Sequence, residues 1–237
     1  MRWKFPVLAV PVSLLLAACG TTTTTKNAAS INQTKVVVEW DGSGFSRFAS
    51  LYQEEVVTTI QEMAAKEDQV LTCVLDGQPV TTADITTTDF GASLRKEEVE
   101  KEEESETKQA IAAGLAKTLI SHAKEVVPGS GQLQGLELAA ETPGVTRIYQ
   151  WTDGVVNEPT NHFSLTSATK NQITAEIRQW QPRLKGLEGK TVIIVGVGRG
   201  VHQVATVERA HRLYRALVEG KNGGHLVWTP TLYQTDK

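Results

Sequence analysis

Two rhythms of apolar residues alternate along the chain. Short β-branched runs at 36–40, 70–75, Val145–Trp151, 191–197 and 226–228 have the length and composition of strands. Between them, apolar residues recur three or four positions apart over 45–66, 94–127, 133–140, 173–180 and 204–218, which is the spacing of one helix face. The first of these stripes holds Phe48, Leu51, Val56, Ile60 and Met63. The second uses Ile111, Leu115, Leu119 and Val126, and the last uses Val204, Val207, Tyr214, Leu217 and Val218 opposite Arg209, Arg212 and Arg215. Val192-Ile193-Ile194-Val195 is apolar without alternation, which predicts a central parallel strand covered on both faces. Residues 83–90 are Thr-rich and alternate weakly, as an edge strand does, while 157–172 are polar and give no assignment. The whole pattern predicts an α/β fold: a doubly wound, mostly parallel central sheet with helices on both faces and one antiparallel edge strand.

The amino terminus follows neither rhythm. Arg2 and Lys4 precede an apolar run from Phe5 to Leu16, about a dozen residues, too short for a spanning helix of about 20 but suited to a signal-peptide core. The run ends Leu16-Ala17-Ala18-Cys19, which resembles the lipobox of bacterial lipoproteins. That resemblance implies cleavage after residue 18 and a diacylglycerol thioether on Cys19. Gly20, five threonines from Thr21 to Thr25 and a polar run to Thr34 follow, with too little apolar surface to offset ordering entropy. These fifteen residues read as a tether that reaches roughly 50 Å when extended. The expected organisation is a signal peptide over 1–18, a lipidated cysteine and tether over 19–34, and one α/β domain over 35–237. Gly20 after the cysteine resembles lipoproteins sent on to an outer membrane, where the organism has one.

Charge changes this picture modestly. The chain of 237 residues carries 24 Lys plus Arg against 27 Asp plus Glu, a net −3, and loss of Arg2 and Lys4 with the leader makes it −5. That balance argues against a nucleic-acid partner. Residues 95–108 hold seven glutamates against four basic residues, read as a solvated helix face. With Cys19 lipidated, Cys73 has no disulfide partner left in the chain.

In an open parallel sheet, ligands bind beyond the carboxyl ends of the strands. Three small polar clusters fall at such places: Asp41-Gly42-Ser43-Gly44, Gly129-Ser130-Gly131 and Thr152-Asp153-Gly154. Carboxylates with several hydroxyls suit a hard divalent cation, but the same residues also serve as turn formers and helix caps. The order of elements and loops over 35–233 resembles a von Willebrand factor A domain, whose metal-dependent adhesion site combines Asp-x-Ser-x-Ser, a distant Thr and a later Asp often inside Thr-Asp-Gly. Asp41 and Ser43 match the first motif, Ser130 takes the place of the Thr, and Asp153 matches the last. Phe45 stands where the family has its second serine. The resemblance implies Mg²⁺ or another divalent cation held by Asp41, Ser43, Ser130 and Asp153, with a partner carboxylate completing the coordination.

Other motifs carry less. Gly196-Val197-Gly198-Arg199-Gly200 has Val201 where a dinucleotide fingerprint needs its third glycine, so it reads as a strand-to-helix turn with Arg199 at the same end of the sheet. The histidines His122, His162, His202, His211 and His225 lack ligand spacing. The expected function is a lipid-anchored envelope protein that binds a protein partner through the loop face, with no catalytic residues. Two alternatives stay open: a metal-dependent hydrolase using Asp41 and Asp153, and a metal-free structural protein of the envelope.

Overall fold

The first strand, β1 (Lys35–Asp41), runs from polar surface into the buried centre of the molecule and ends in a 3-10 turn, Gly44–Phe48. In the computed structural model the described residues are 34–66, 68–76, 78, 80–91, 101–122, 129, 131–158, 162–201 and 203–232. The expected signal peptide, Cys19, all of the tether but Thr34, and Ser130 lie outside them. After the 3-10 turn come α1 (Ala49–Ala65), β2 (Gln69–Leu75), β3 (Thr86–Asp89), α2 (Lys101–His122) and α3 (Gln132–Glu141). The chain continues through β4 (Val145–Trp151), a small hairpin of β5 (Asn157–Glu158) and β6 (Phe163–Ser164), α4 (Lys170–Trp180), β7 (Thr191–Val195), α5 (Val204–Arg215) and β8 (His225–Thr229).

The six longer strands form one sheet in the order β3-β2-β1-β4-β7-β8. All neighbours are parallel except β2 with β3, so the Thr-rich strand is the antiparallel edge that its weak alternation predicts. Strand residues divide between two buried clusters by alternation, as the two-residue period of a pleat demands. Val37, Ile148, Val192 and Ile194 join Leu133 and Leu136 of α3, Trp180 of α4, and Leu213 and Tyr214 of α5. Val36, Val38, Trp40, Trp151 and Val195 join Val56, Ile60 and Met63 of α1, and Ala112, Ala116 and Leu119 of α2. Helices therefore cover both faces, and the inner strands β2, β1, β4 and β7 contribute to both clusters.

Three apolar assignments need correction. Leu51, Ile111 and Val204 are exposed, at 62%, 38% and 74%. In α1 the buried face is Tyr52, Glu55, Val56, Thr59, Ile60 and Met63, and Leu51 falls beside it. In α2 the small Ala112 and Ala116 point inward, while Ile111 lies one step round the helix. Val204 is the first residue of α5 and projects from its end. After Arg215 the helix widens into a π turn, Ala216–Gly220, and Leu217 and Val218 are buried from there.

One topological feature positions everything that follows. From β1 the chain moves outward to β2 and β3, whereas β4 begins the opposite half, β7 and β8. The direction reverses between β1 and β4, so their following loops part and leave a crevice at the carboxyl edge of the sheet.

Candidate functional site

Trp40 pairs with Trp151 across β1 and β4, so the next residues of both strands, Asp41 and Thr152, emerge side by side at the reversal point. Asp41 is 1% exposed, and four donors surround it. Its Oδ1 accepts from the Ser43 N–H at 2.9 Å and the Ser43 hydroxyl at 2.5 Å. Its Oδ2 accepts from the Thr152 hydroxyl at 2.7 Å and the Gln132 amide at 2.9 Å. Burial pushes the Asp41 carboxyl above its ordinary pKa, and these hydrogen bonds oppose that push.

Asp153 follows directly. Its Oδ1 accepts from the Val155 N–H at 2.8 Å, closing an Asx turn. Burial, and next the negative Asp41 beside it, raise Asp153 to about 7. The Asp153 carbonyl accepts from the Gly198 N–H at 2.9 Å, which clamps the glycine-rich loop after β7 onto the loop after β4. Two close approaches need glycine here. A Cβ on Gly154, at φ +81°, would lie 2.6 Å from the Trp228 ring, and one on Gly196, at φ +95°, would lie 2.6 Å from the Phe45 ring.

Between these loops is an open cavity of about 360 Å³, lined by Ser43, Asp153, Val155, Asn157, Thr166, Gly200, Val201, Gln203 and Thr206. It takes walls from the loops after β1, β4, β6 and β7 and from the start of α5. Ser43 and Asp153 thus share the cavity wall, with Asp41 buried beside them at the same end of the sheet. Arg199 lies at the same end, where its Nε donates to the Tyr52 hydroxyl at 3.0 Å, and Tyr52 in turn donates to the Pro230 carbonyl at 2.8 Å.

Sequence reasoning missed the layer beneath. Gln132, fully buried at the start of α3, donates through Nε2 to Asp41 and to the Thr152 hydroxyl, and accepts from the Tyr214 hydroxyl at 3.1 Å. Gln150 donates to Glu39 and to the Gln132 carbonyl at 2.9 Å. Burial raises Glu39 to about 8, so it is held as a neutral acid. The available signal was Glu39 and Gln150, each flanked by apolar residues near a strand end, since an unpaired polar group there would be costly.

Among the described residues, which leave out Ser130, the surroundings of Asp41, Ser43 and Asp153 do not complete a cation site. Phe45 is fully buried, with its ring 5.5 Å from Trp40 and 5.4 Å from Tyr52, so the position where the resemblance would place a second serine belongs to the core. The Gln132 amide presents N–H groups to Asp41 and Thr152, on lone pairs that a cation or its waters would otherwise use. Among the described residues, no group of three His, Cys, Asp or Glu stands close enough to hold a metal ion. Among the histidines, His211 stacks on Trp228 with centroids 5.2 Å apart, and His162 and His225 are exposed. Cys73 is buried, and burial pushes its thiol upward, away from reactivity.

No protein-family model matches the chain, and comparison with curated proteins finds no relative.

Proposed function

We propose that this protein is a lipid-anchored component of the bacterial envelope whose von Willebrand A-like domain binds a protein partner at the crevice between the loops after β1 and β4. The observation that carries this reading is the convergence of four loops and a helix start on one open 360 Å³ cavity, at the point where the sheet order reverses. The arrangement of one antiparallel edge strand on a parallel sheet, with Asp41 and Asp153 at neighbouring strand ends, agrees with the family resemblance. Binding at this rim works through the loop surface itself, because Asp41 is already committed to Ser43, Thr152 and Gln132. The anchor rests on the Leu16-Ala17-Ala18-Cys19 sequence and the polar run after it.

The test is co-purification after crosslinking in intact cells, comparing the native chain with Val201→Arg and Gln203→Arg. Both substitutions place bulk and charge at the cavity mouth, and Gln203 is exposed. Specific loss of one crosslinked protein in both variants supports the reading. Equal capture by all three chains overturns it.

A further inference from the structure

Among the described residues that line the cavity, Asp153 is the one that carries a charge. Its carboxylate takes a single described hydrogen bond, from Val155, and Arg47 acts on it electrostatically without a described ion pair. Asp41 stands behind it with both oxygens engaged, so a second negative group sits next to the open one. The other lining residues are uncharged, while the Arg47 guanidinium stands against Gly200 on one wall. Thr206 spends its hydroxyl on Arg209, at 3.1 Å, and Asn157 accepts from Ser164 at 2.7 Å. Val155 and Val201 supply apolar surface along the entrance. An aspartate on the wall of a cleft whose other lining side chains are uncharged and partly apolar fits a group that is cationic at its tip and aliphatic along its stem.

We infer that the partner inserts a basic side chain, lysine or arginine, into this cavity and seats its charge on Asp153. The polarity is the reverse of a metal-dependent adhesion site, where the partner supplies the acid. The inference rests on the partner-binding reading above and specifies its chemistry. Two features act against it, and they define the control. Arg47 lies near the rim, its guanidinium 4.8 Å from the Phe48 ring centroid, and the first turn of α5 offers amide N–H groups that favour an anion. An acidic side chain is therefore the competing occupant.

The experiment titrates the full chain, in chelator, with three pentapeptides of the form Gly-Gly-X-Gly-Gly, where X is lysine, its uncharged isostere norleucine, or glutamate. Binding is read by calorimetry or NMR shifts. The lysine peptide should bind at least about tenfold more tightly than the norleucine one, consistent with a charge-assisted bond. Asp153→Asn keeps an acceptor for the Val155 N–H and should erase that preference. Gln203→Glu adds a carboxylate at the mouth and should strengthen lysine binding, so a folding defect in one variant leaves the other informative. A preference for glutamate, equal binding of lysine and norleucine, or an unchanged lysine preference in Asp153→Asn overturns the inference. Crosslinking that persists alongside those results leaves partner binding standing. A lysine preference without any crosslinked partner supports the cavity chemistry and sinks the partner reading.

Discussion

The carboxylate of Asp41 and the side-chain amide of Gln132 are hydrogen-bonded at 2.9 Å, although ninety-one positions separate them in the chain. The same amide reaches the Thr152 hydroxyl, so one buried side chain ties together the loop after β1, the start of α3 and the loop after β4. In water each of these groups would have its own solvent partners. Inside the protein they have only one another, which makes the set costly to break at any one member. Gln132→Ala leaves Asp41 without one donor and the Tyr214 hydroxyl without one acceptor. The expected loss is about 1–3 kcal/mol, read from urea denaturation, and Gln132→Glu should cost more at neutral pH than in acid because it sets a second carboxylate against Asp41.

Divalent cations provide the next test. With Gln132 donating to Asp41 and Phe45 filling the second serine position, Mg²⁺ or Mn²⁺ at millimolar concentration should leave the melting temperature unchanged, and chelator should do the same. A ligand stabilises only the state it binds. A saturable rise in melting temperature that vanishes in Asp153→Ala would mean that Gln132 turns aside and the cation reading holds.

The pH dependence of stability has a definite sign. Glu39 is raised from 4.5 to about 8, Asp153 from 3.8 to about 7 and Glu158 from 4.5 to about 7, in each case mainly by burial. The folded protein therefore holds more protons than the unfolded chain between about pH 4.5 and 8, and these groups make stability fall as pH rises through that window. Each contributes a slope of up to about 1.4 kcal/mol per pH unit. Glu39→Gln keeps an acceptor for Gln150 and removes one titrating proton. Its urea midpoint should fall less between pH 5 and pH 8 than that of the native chain, and parallel curves would place the Glu39 pKa in its ordinary range.

Much of the sheet was legible because its signals are local. Val192-Ile193-Ile194-Val195 announces a doubly covered strand, and the weak alternation of 83–90 announces an edge; both follow from how a pleat is buried. The rim was legible for a related reason, since Asp41 and Asp153 sit one or two positions past recognisable strand ends. Gln132 and Tyr214 were not legible. Nothing in their own neighbourhoods distinguishes a glutamine that begins a helix or a tyrosine on an apolar stripe from ordinary surface or core, and their role appears only once β1, α3, β4 and α5 are packed together. The exposed Leu51 and Val204 failed for the opposite reason: a period of 3.6 names a face only to within one residue, and helix ends have no far side to pack against.

The proposed anchor makes its own prediction. Cells fed a radiolabelled fatty acid should label the native chain and not Cys19→Ser, and the variant should leave the membrane fraction. Retention of Cys19→Ser in membranes with no label on either chain would require another basis for localisation. Among the described residues no helix is long and apolar enough to cross a membrane.

The contact of Phe45 with Gly196 offers a final test, because it separates two reasons why the site has its shape. Ala at 196 would face a backbone at φ +95°, a conformation unfavourable for any residue with a Cβ, and would also drive that atom to 2.6 Å from the Phe45 ring. Strain of the first kind belongs to position 196 alone. Overlap of the second kind depends on the ring. Phe45→Leu by itself should destabilise by about 1–3 kcal/mol, since it removes a fully buried aromatic packed on Trp40 and Tyr52. In the double variant the smaller side chain leaves room for the new methyl, so the combined loss should fall short of the sum of the single losses by about 0.5 kcal/mol or more. Strict additivity in urea denaturation would assign the whole cost of Gly196→Ala to backbone strain. It would also mean that the loop after β7 moves independently of the aromatic wedge that Phe45 forms with Trp40 and Tyr52.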